Sequence, residues 1–324
     1  MDKEVLLEIK DLKIRFYTYD GTVEAVDVEN LTIYKGEILG LVGETGCGKT
    51  VTSLSILNLI PKPGKIESGK IILRGENLLE KGENELKALR GSKIAMIFQD
   101  PMSSLNPVFT VGEQLTRVIM LHQKELDRRK ATDKAMEMLK LIGLPHVERI
   151  MKSYPHELSG GMRQRIMIAM ALSCRPELII ADEPTSALDV TTEAQILKLI
   201  KDLRDQYGTS ILFVTHDLAV VAQICDRVAV MYAGEVIEVG RVKDVFEKPL
   251  HPYTVGLLEA MPKPNKRKSK LMVIGGTVPS MINPPSGCRF HPRCQNSMEV
   301  CLKNKPKMKA VGQDHYVSCF LWGN

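Results

Sequence analysis

Residues 43 to 50 read Gly-Glu-Thr-Gly-Cys-Gly-Lys-Thr and fit the spacing G-x-x-x-x-G-K-[ST]. Glycines at those places let successive backbone N–H groups turn inward around an anion, while lysine supplies charge to β- and γ-phosphates and the final hydroxyl reaches Mg²⁺. Gly43, Glu44, Thr45, Gly46, Cys47, Gly48, Lys49, Thr50 and Val51 are therefore candidates to hold a nucleotide. The flanks agree, because residues 37–42 read as a buried strand and residues 50–59 as a helix whose N-terminus faces the phosphate. A chain with this unit is α/β, with a P-loop core.

Upstream, residues 5–34 alternate apolar and polar side chains in two runs joined by an Asp20-Gly21 turn, the pattern of an antiparallel, hairpin-rich sheet. Tyr19 beside that turn is a candidate to stack on the base, with Tyr17 as its rival. Downstream, the apolar run Lys93-Ile-Ala-Met-Ile-Phe98 ends at Gln99, where a polar side chain at a strand end can reach a metal or water at the phosphates. Residues 99–107 then leave the sheet with two prolines.

From Thr110 to His156 the period becomes helical. Ala131, Ala135, Met138, Leu139 and Ile142 mark one face, and Gly143 is the expected C-cap ahead of Pro145. This predicts an inserted helical subdomain over about residues 108–175. Near its end Ser159 can cap a helix running to Ser173, while Gly160 and Gly161 bare its first N–H groups as a second anion site.

Residues 177–184, Glu-Leu-Ile-Ile-Ala-Asp-Glu-Pro, form an apolar strand that brings Asp182 and Glu183 to its C-terminal end. Successive side chains leave a strand on opposite sides, so the two acids take different tasks: Asp182 the Mg²⁺ shell, Glu183 the attacking water. Asp189 precedes a helix over residues 191–207, and the strand at 210–215 ends at His216. Gln99, Asp182 and His216 are thus three polar residues at the ends of apolar strands.

No apolar run approaches the ~18 to 20 residues of a membrane span. The first residues, Met1-Asp-Lys-Glu-Val-Leu-Leu-Glu, also lack the basic and apolar regions of a signal peptide, so the chain is expected to stay in the cytosol. The net charge of +5 is unevenly divided, with residues 261–324 at +9 and residues 1–260 at −4, which argues against a nucleic-acid surface on the main body. The positive segment also holds Cys288, Cys294, Cys301 and Cys319, four of the seven cysteines. Disulfides, free thiols, zinc and an iron-sulfur cluster are all open on these residues, although zinc sites usually include a close C-x₂₋₄-C pair that is missing here. Nearby Arg289, Arg293, Lys303 and Lys305 could offset the charge of a thiolate site.

With these motifs in order over residues 5–240, the chain resembles the ATP-binding subunits of ABC transporters. In that family residues 43–50 correspond to the Walker A loop, Gln99 to the Q-loop glutamine, Leu158 to Met162 to the signature, Leu178 to Asp182 to Walker B, Glu183 to the catalytic base, Asp189 to the D-loop and His216 to the switch histidine. The resemblance implies an ABC-type nucleotide-binding domain with a mixed-sheet P-loop core, an antiparallel β subdomain and an inserted helical subdomain over residues 1–260, followed by a small Cys-rich extension over 261–324. It further implies ATP and Mg²⁺, with Thr50, Gln99 and Asp182 around the metal and Lys49, Gln99, Glu183 and His216 serving hydrolysis. Ser159, Gly160, Gly161 and Asp189 would act on the ATP held by an opposite subunit.

Residues 99–107, His251-Pro-Tyr-Thr254 and Gly276-Thr-Val-Pro-Ser280 are similar to the branch serving dipeptide, oligopeptide and nickel importers. That implies a homologous, non-identical second ATPase subunit, or a homodimer when alone. It also implies two integral membrane permease subunits, an extracytoplasmic solute-binding protein and a place on the cytoplasmic face of the membrane. Peptides are the expected cargo, with nickel or another small solute as the alternative. A soluble ABC ATPase acting on nucleic acid or ribosomes is the rival from another class, but the chain lacks that group's coiled-coil insertion or tandem cassette, so no nucleic-acid partner is expected. Iron-sulfur tails among peptide-importer subunits favour a [4Fe-4S] cluster on the four cysteines, with zinc as the alternative; the group would staple a Lys- and Pro-rich segment beyond a linker at Pro262 to Lys270.

Overall fold

A computed structural model describes residues 4–100, 104–186, 188–261 and 274–323. The expected linker at Pro262 to Lys270, residues 101–103 of the segment after Gln99, and Ala187 lie outside the described residues. The chain divides into two compact units, one from residues 1–80 and 214–324, the other from residues 81–213.

The first unit contains the antiparallel sheet that the alternation at residues 5–34 predicts. Strand Val5–Thr18 pairs with Gly21–Tyr34 on one side and with Gly64–Leu73 on the other. Leu7, Ile9, Leu12 and Ile14 of the first strand and Val26, Val28, Leu31 and Ile33 of the second are buried, so the period-two pattern is the core face. Removing one such side chain to alanine would cost about 2–5 kcal/mol.

The same unit holds the fully buried strand Ile38–Val42, which runs parallel to Arg227–Tyr232. Strand Glu235–Arg241 lies antiparallel to the latter, and the tail extends this layer: His315–Val317 pairs with Glu235–Arg241, and Lys309–Gly312 with His315–Val317. The tail also reaches the core, because Phe290 is buried among Val42, Val230, Tyr232 and Tyr253. A buried ion pair, Arg227 Nη1 to Glu37 Oε1 at 3.0 Å, ties the entry of strand Ile38–Val42 to that of strand Arg227–Tyr232.

In the second unit strands Ile94–Ile97 and Leu178–Asp182 pair in parallel. Between these strands in sequence lie helices Val111–His122, Arg128–Leu141, Val147–Lys152 and Gly160–Leu172. Thr110 and Glu113 form a capping box at the first, satisfying two end amides reciprocally. Ala131, Ala135, Met138, Leu139 and Ile142 are all buried, as the helical period predicts, and Gly143 takes a φ of 72° just past the helix end. Among the described residues no helix is long and apolar enough to cross a membrane.

Candidate active site

The phosphate loop belongs to the first unit. The buried strand Ile38–Val42 delivers the chain into the loop, and helix Lys49–Ile56 carries it out. Two glycines are required by space. A side chain at Gly43 would run into the Met231 carbonyl, and a Cβ at Gly48, where φ is 104°, would stand 2.6 Å from the Ala25 carbonyl oxygen. Lys49 is buried and folded into the loop, its ammonium donating to the carbonyls of Gly43 at 2.8 Å and Glu44 at 3.1 Å. Cys47 is buried beside it, and burial pushes its thiol pKa up, so it stays a neutral packing group. Thr45, Gly46 and Thr50 are exposed and form the open face of the loop.

Glu44 is held from several directions. Its N–H donates to Tyr253 Oη at 3.0 Å, its carbonyl accepts from Cys47 N–H at 3.2 Å, and its carboxylate meets the Arg293 guanidinium at 2.7 and 3.1 Å. Neither Arg293 nor Tyr253 is visible as a loop partner in the sequence. The one available cue was the acid itself, since a carboxylate on an anion-binding loop calls for a compensating cation.

Other residues of the first unit are placed as follows. Tyr19 is fully exposed at the hairpin turn, open to a planar ligand, whereas its rival Tyr17 donates to Glu67 at 2.9 Å. His216 follows the buried strand Ser210–Thr215 and is exposed.

In the second unit strand Leu178–Asp182 is buried throughout, Asp182 included, and Glu183 follows in the left-handed region at φ 45°. That turn is uncommon for a residue with a side chain and takes Glu183 out of the strand's alternation, in keeping with separate tasks for the two acids. Gln99, exposed after strand Ile94–Ile97, donates through Nε2 to Glu183 Oε2 at 3.2 Å. Ser159 caps helix Gly160–Leu172, its hydroxyl accepting from Met162 N–H at 3.3 Å. A Cβ at Gly161 would meet Thr192 Cγ2 at 2.7 Å, so glycine there admits the neighbouring helix. Asp189 caps that helix, Val190–Tyr207, accepting from the N–H and hydroxyl of Thr192, and these bonds hold its carboxyl below the usual range.

The four tail cysteines, up to 31 residues apart, line one recess together with Phe290 and Phe320. All are free thiols, so the disulfide alternative is absent from the structure. Burial pushes Cys288 up to about 12 and raises Cys294 and Cys319 in the same direction. Among the described residues, no three His, Cys, Asp or Glu side chains converge as holders of one metal ion.

Comparison with known proteins decides the family. Residues 26–186 match the model described as ABC transporter, and residues 237–301 the one described as oligopeptide/dipeptide transporter, C-terminal region. The chain is 50% identical to the oligopeptide transport ATP-binding protein AppD of Bacillus subtilis, covering 98% of this chain and 97% of that one. The chain belongs to the peptide-transport ABC ATP-binding proteins.

Other family members run as close. The oligopeptide transport ATP-binding protein OppD of Salmonella typhimurium is 48% identical over 98% of this chain and 93% of its own, and the dipeptide transport ATP-binding protein DppD of Bacillus subtilis 47% over 98% and 95%. Among solved structures, the dimeric post-hydrolysis ATP-binding cassette MJ0796 with ADP and phosphate superposes with a TM-score of 0.66 at 28% identity, covering 73% of this chain and 99% of that one. The expected ABC ATPase fold is borne out. The ABC match spans the loop at 43–50, Gln99, Ser159 to Gly161, Asp182 and Glu183, while the C-terminal match spans Cys288, Cys294 and Cys301.

Proposed function

We propose that this ABC protein hydrolyses ATP to power uptake of di- or oligopeptides through partner membrane subunits. The observation that carries the reading is near-full-length identity of 47–50% to proteins named for oligopeptide and dipeptide transport, tail included.

In this account the loop amides and Lys49 bind the β- and γ-phosphates. Thr50, Gln99 and Asp182 are the side chains that would hold Mg²⁺, which when bound would offset charge on the transferred phosphoryl group. Glu183 takes a proton from water as the water oxygen bonds to the γ-phosphorus and the bond to the ADP oxygen breaks, leaving ADP and phosphate. His216 serves hydrolysis at the γ-phosphate, and Tyr19 stacks on the base. Ser159, Gly160, Gly161 and Asp189 complete the site of a homologous second ATP-binding subunit, so two chains close head to tail on two ATP molecules. The Ser159 cap with Gly160 and Gly161 behind it, a helix start away from the phosphate loop that suits an anion, supports that arrangement. The pair works at the cytoplasmic face of the membrane beneath two permease subunits, which an extracytoplasmic binding protein loads.

The Cys-rich extension is read as a [4Fe-4S] site. A single zinc ion needs sulfurs at about 2.3 Å from one point. What supports the cluster reading is that all four cysteines line one recess with Phe290 and Phe320. When bound it would act as a structural staple for residues 274–323.

The test is reconstitution with the native permease pair, partner ATPase and binding protein in vesicles. ATP turnover should rise on adding peptide-loaded binding protein and stay at its basal level with nickel. Stimulation by nickel or by nucleic acid, with none by peptide, would overturn the reading.

A further inference from the structure

The geometry points to Arg293 as a positioning residue for nucleotide binding, one that neutralises Glu44 on the phosphate loop and so makes nucleotide affinity depend on the Cys-bearing tail. This rests on the reading of residues 43–50 as the phosphate loop.

Glu44 places a negative charge on a loop whose task is to receive a polyanion. Unpaired, that carboxylate would oppose the phosphates, and the repulsion falls only slowly with distance near a low-dielectric protein surface. Arg293 removes the conflict with a two-pronged contact, Nη1 to Oε2 at 2.7 Å and Nη2 to Oε1 at 3.1 Å. Such fork pairing is stronger and more directional than a lysine contact.

The guanidinium has little freedom to leave. Its side chain is 5% exposed, its Nε donates to the Gly275 carbonyl at 2.9 Å, its Nη2 to that of Ile274 at 3.4 Å, and its Cζ lies 5.7 Å from the Tyr232 ring centroid. The carboxylate hydrogen bonds raise the Arg293 pKa further above its ordinary value, so it is always charged. Glu44 is fixed at its other end by Tyr253, which is fully buried.

The source of Arg293 links this contact to the tail. It sits between Phe290 and Cys294. The Phe290 ring packs on Tyr232 and Tyr253 at centroid separations of 5.1 and 5.5 Å. The segment that supplies two of the four cysteines therefore also supplies the loop's counter-charge and the ring that packs on Tyr253, the partner of the Glu44 N–H. Whatever orders residues 288–294 orders Glu44.

A charge-compensating role and a merely structural one differ in one respect. If the harm of losing Arg293 comes from the exposed carboxylate, removing that carboxylate cures it. The experiment measures MgADP binding by calorimetry to the full-length chain in four forms: wild type, Arg293→Ala, Glu44→Gln, and both together. Arg293→Ala should weaken MgADP by about 5- to 20-fold, Glu44→Gln alone should tighten it because the loop keeps its backbone donors and the Arg293 charge is no longer cancelled, and the double variant should return to within about threefold of wild type. Unchanged affinity in Arg293→Ala, or a double variant as weak as Arg293→Ala, overturns the inference. So does a Glu44→Gln chain that binds tenfold worse, an arm that stands even if Arg293→Ala fails to fold. A wild-type chain that does not bind MgADP would instead remove the nucleotide reading itself.

Discussion

Gln99 and Glu183, 84 residues apart in sequence, are joined by a hydrogen bond of 3.2 Å from the amide Nε2 to the carboxylate Oε2. One side chain assigned to the metal thus touches the side chain assigned to the water. Glu183 leaves its strand at a positive φ, and Gln99 is a named partner for its carboxylate there. Gln99→Ala should lower ATP turnover by about 10-fold or more, with nucleotide affinity changed far less, because it removes a support of the base and not the phosphate loop. Steady-state kinetics beside equilibrium binding would show this; equal losses in both would place Gln99 in ground-state binding.

The Arg227–Glu37 pair is buried on both sides, each side chain 5% exposed, and Arg227 also donates to the Thr32 carbonyl at 3.2 Å. Arg227→Ala leaves a buried carboxylate without its cation and should cost about 3–5 kcal/mol of stability. Replacing both residues by apolar ones of similar volume should cost less than the single change. Denaturant melts of the three variants decide it, and a double variant less stable than Arg227→Ala would contradict the argument.

Ser159 caps its helix with two glycines behind it, the arrangement read as the second anion site. In a hydrolysis-blocked Glu183→Gln background, ATP should drive the chain into a dimer with its native partner subunit, or with itself. Adding Ser159→Arg should abolish the dimer by crowding the γ-phosphate. Sedimentation or scattering that shows no change of mass with ATP, partner included, would refute the head-to-tail arrangement.

Anaerobically purified chain should be brown, with about four irons and four sulfides. Cys294→Ser should lose the colour and destabilise the tail while still binding ATP, weakened to the extent that Arg293 loses its place. Metal analysis finding stoichiometric zinc in a colourless protein, or neither metal, would exclude the iron-sulfur reading.

What could be read from the sequence follows from how local each requirement is. The phosphate loop demands glycine at Gly43 and Gly48 because neighbouring backbone stands where a side chain would go, and such demands are written in adjacent residues. The same holds for the caps at Ser159 and Asp189, each bonded within three residues of itself. The Glu44–Arg293 contact spans 249 residues, and no local pattern encodes it. The tail was also harder to place, because its composition is Lys- and Pro-rich. It is attached through single residues that meet distant partners, among them Phe290 in the core, Arg289 and Lys305 on Glu235, and strand His315–Val317 on the sheet, and none of these partners is near in sequence.

Glu183 is proposed as the base of an ATP-hydrolysing site. The most direct test is ATP turnover by the Glu183→Gln chain, assembled with its native partners, beside equilibrium ATP binding. The substitution keeps shape and hydrogen bonding but removes the basic carboxylate. Turnover should fall by about 10² to 10⁴-fold while ATP still binds. Near-normal turnover would contradict the account.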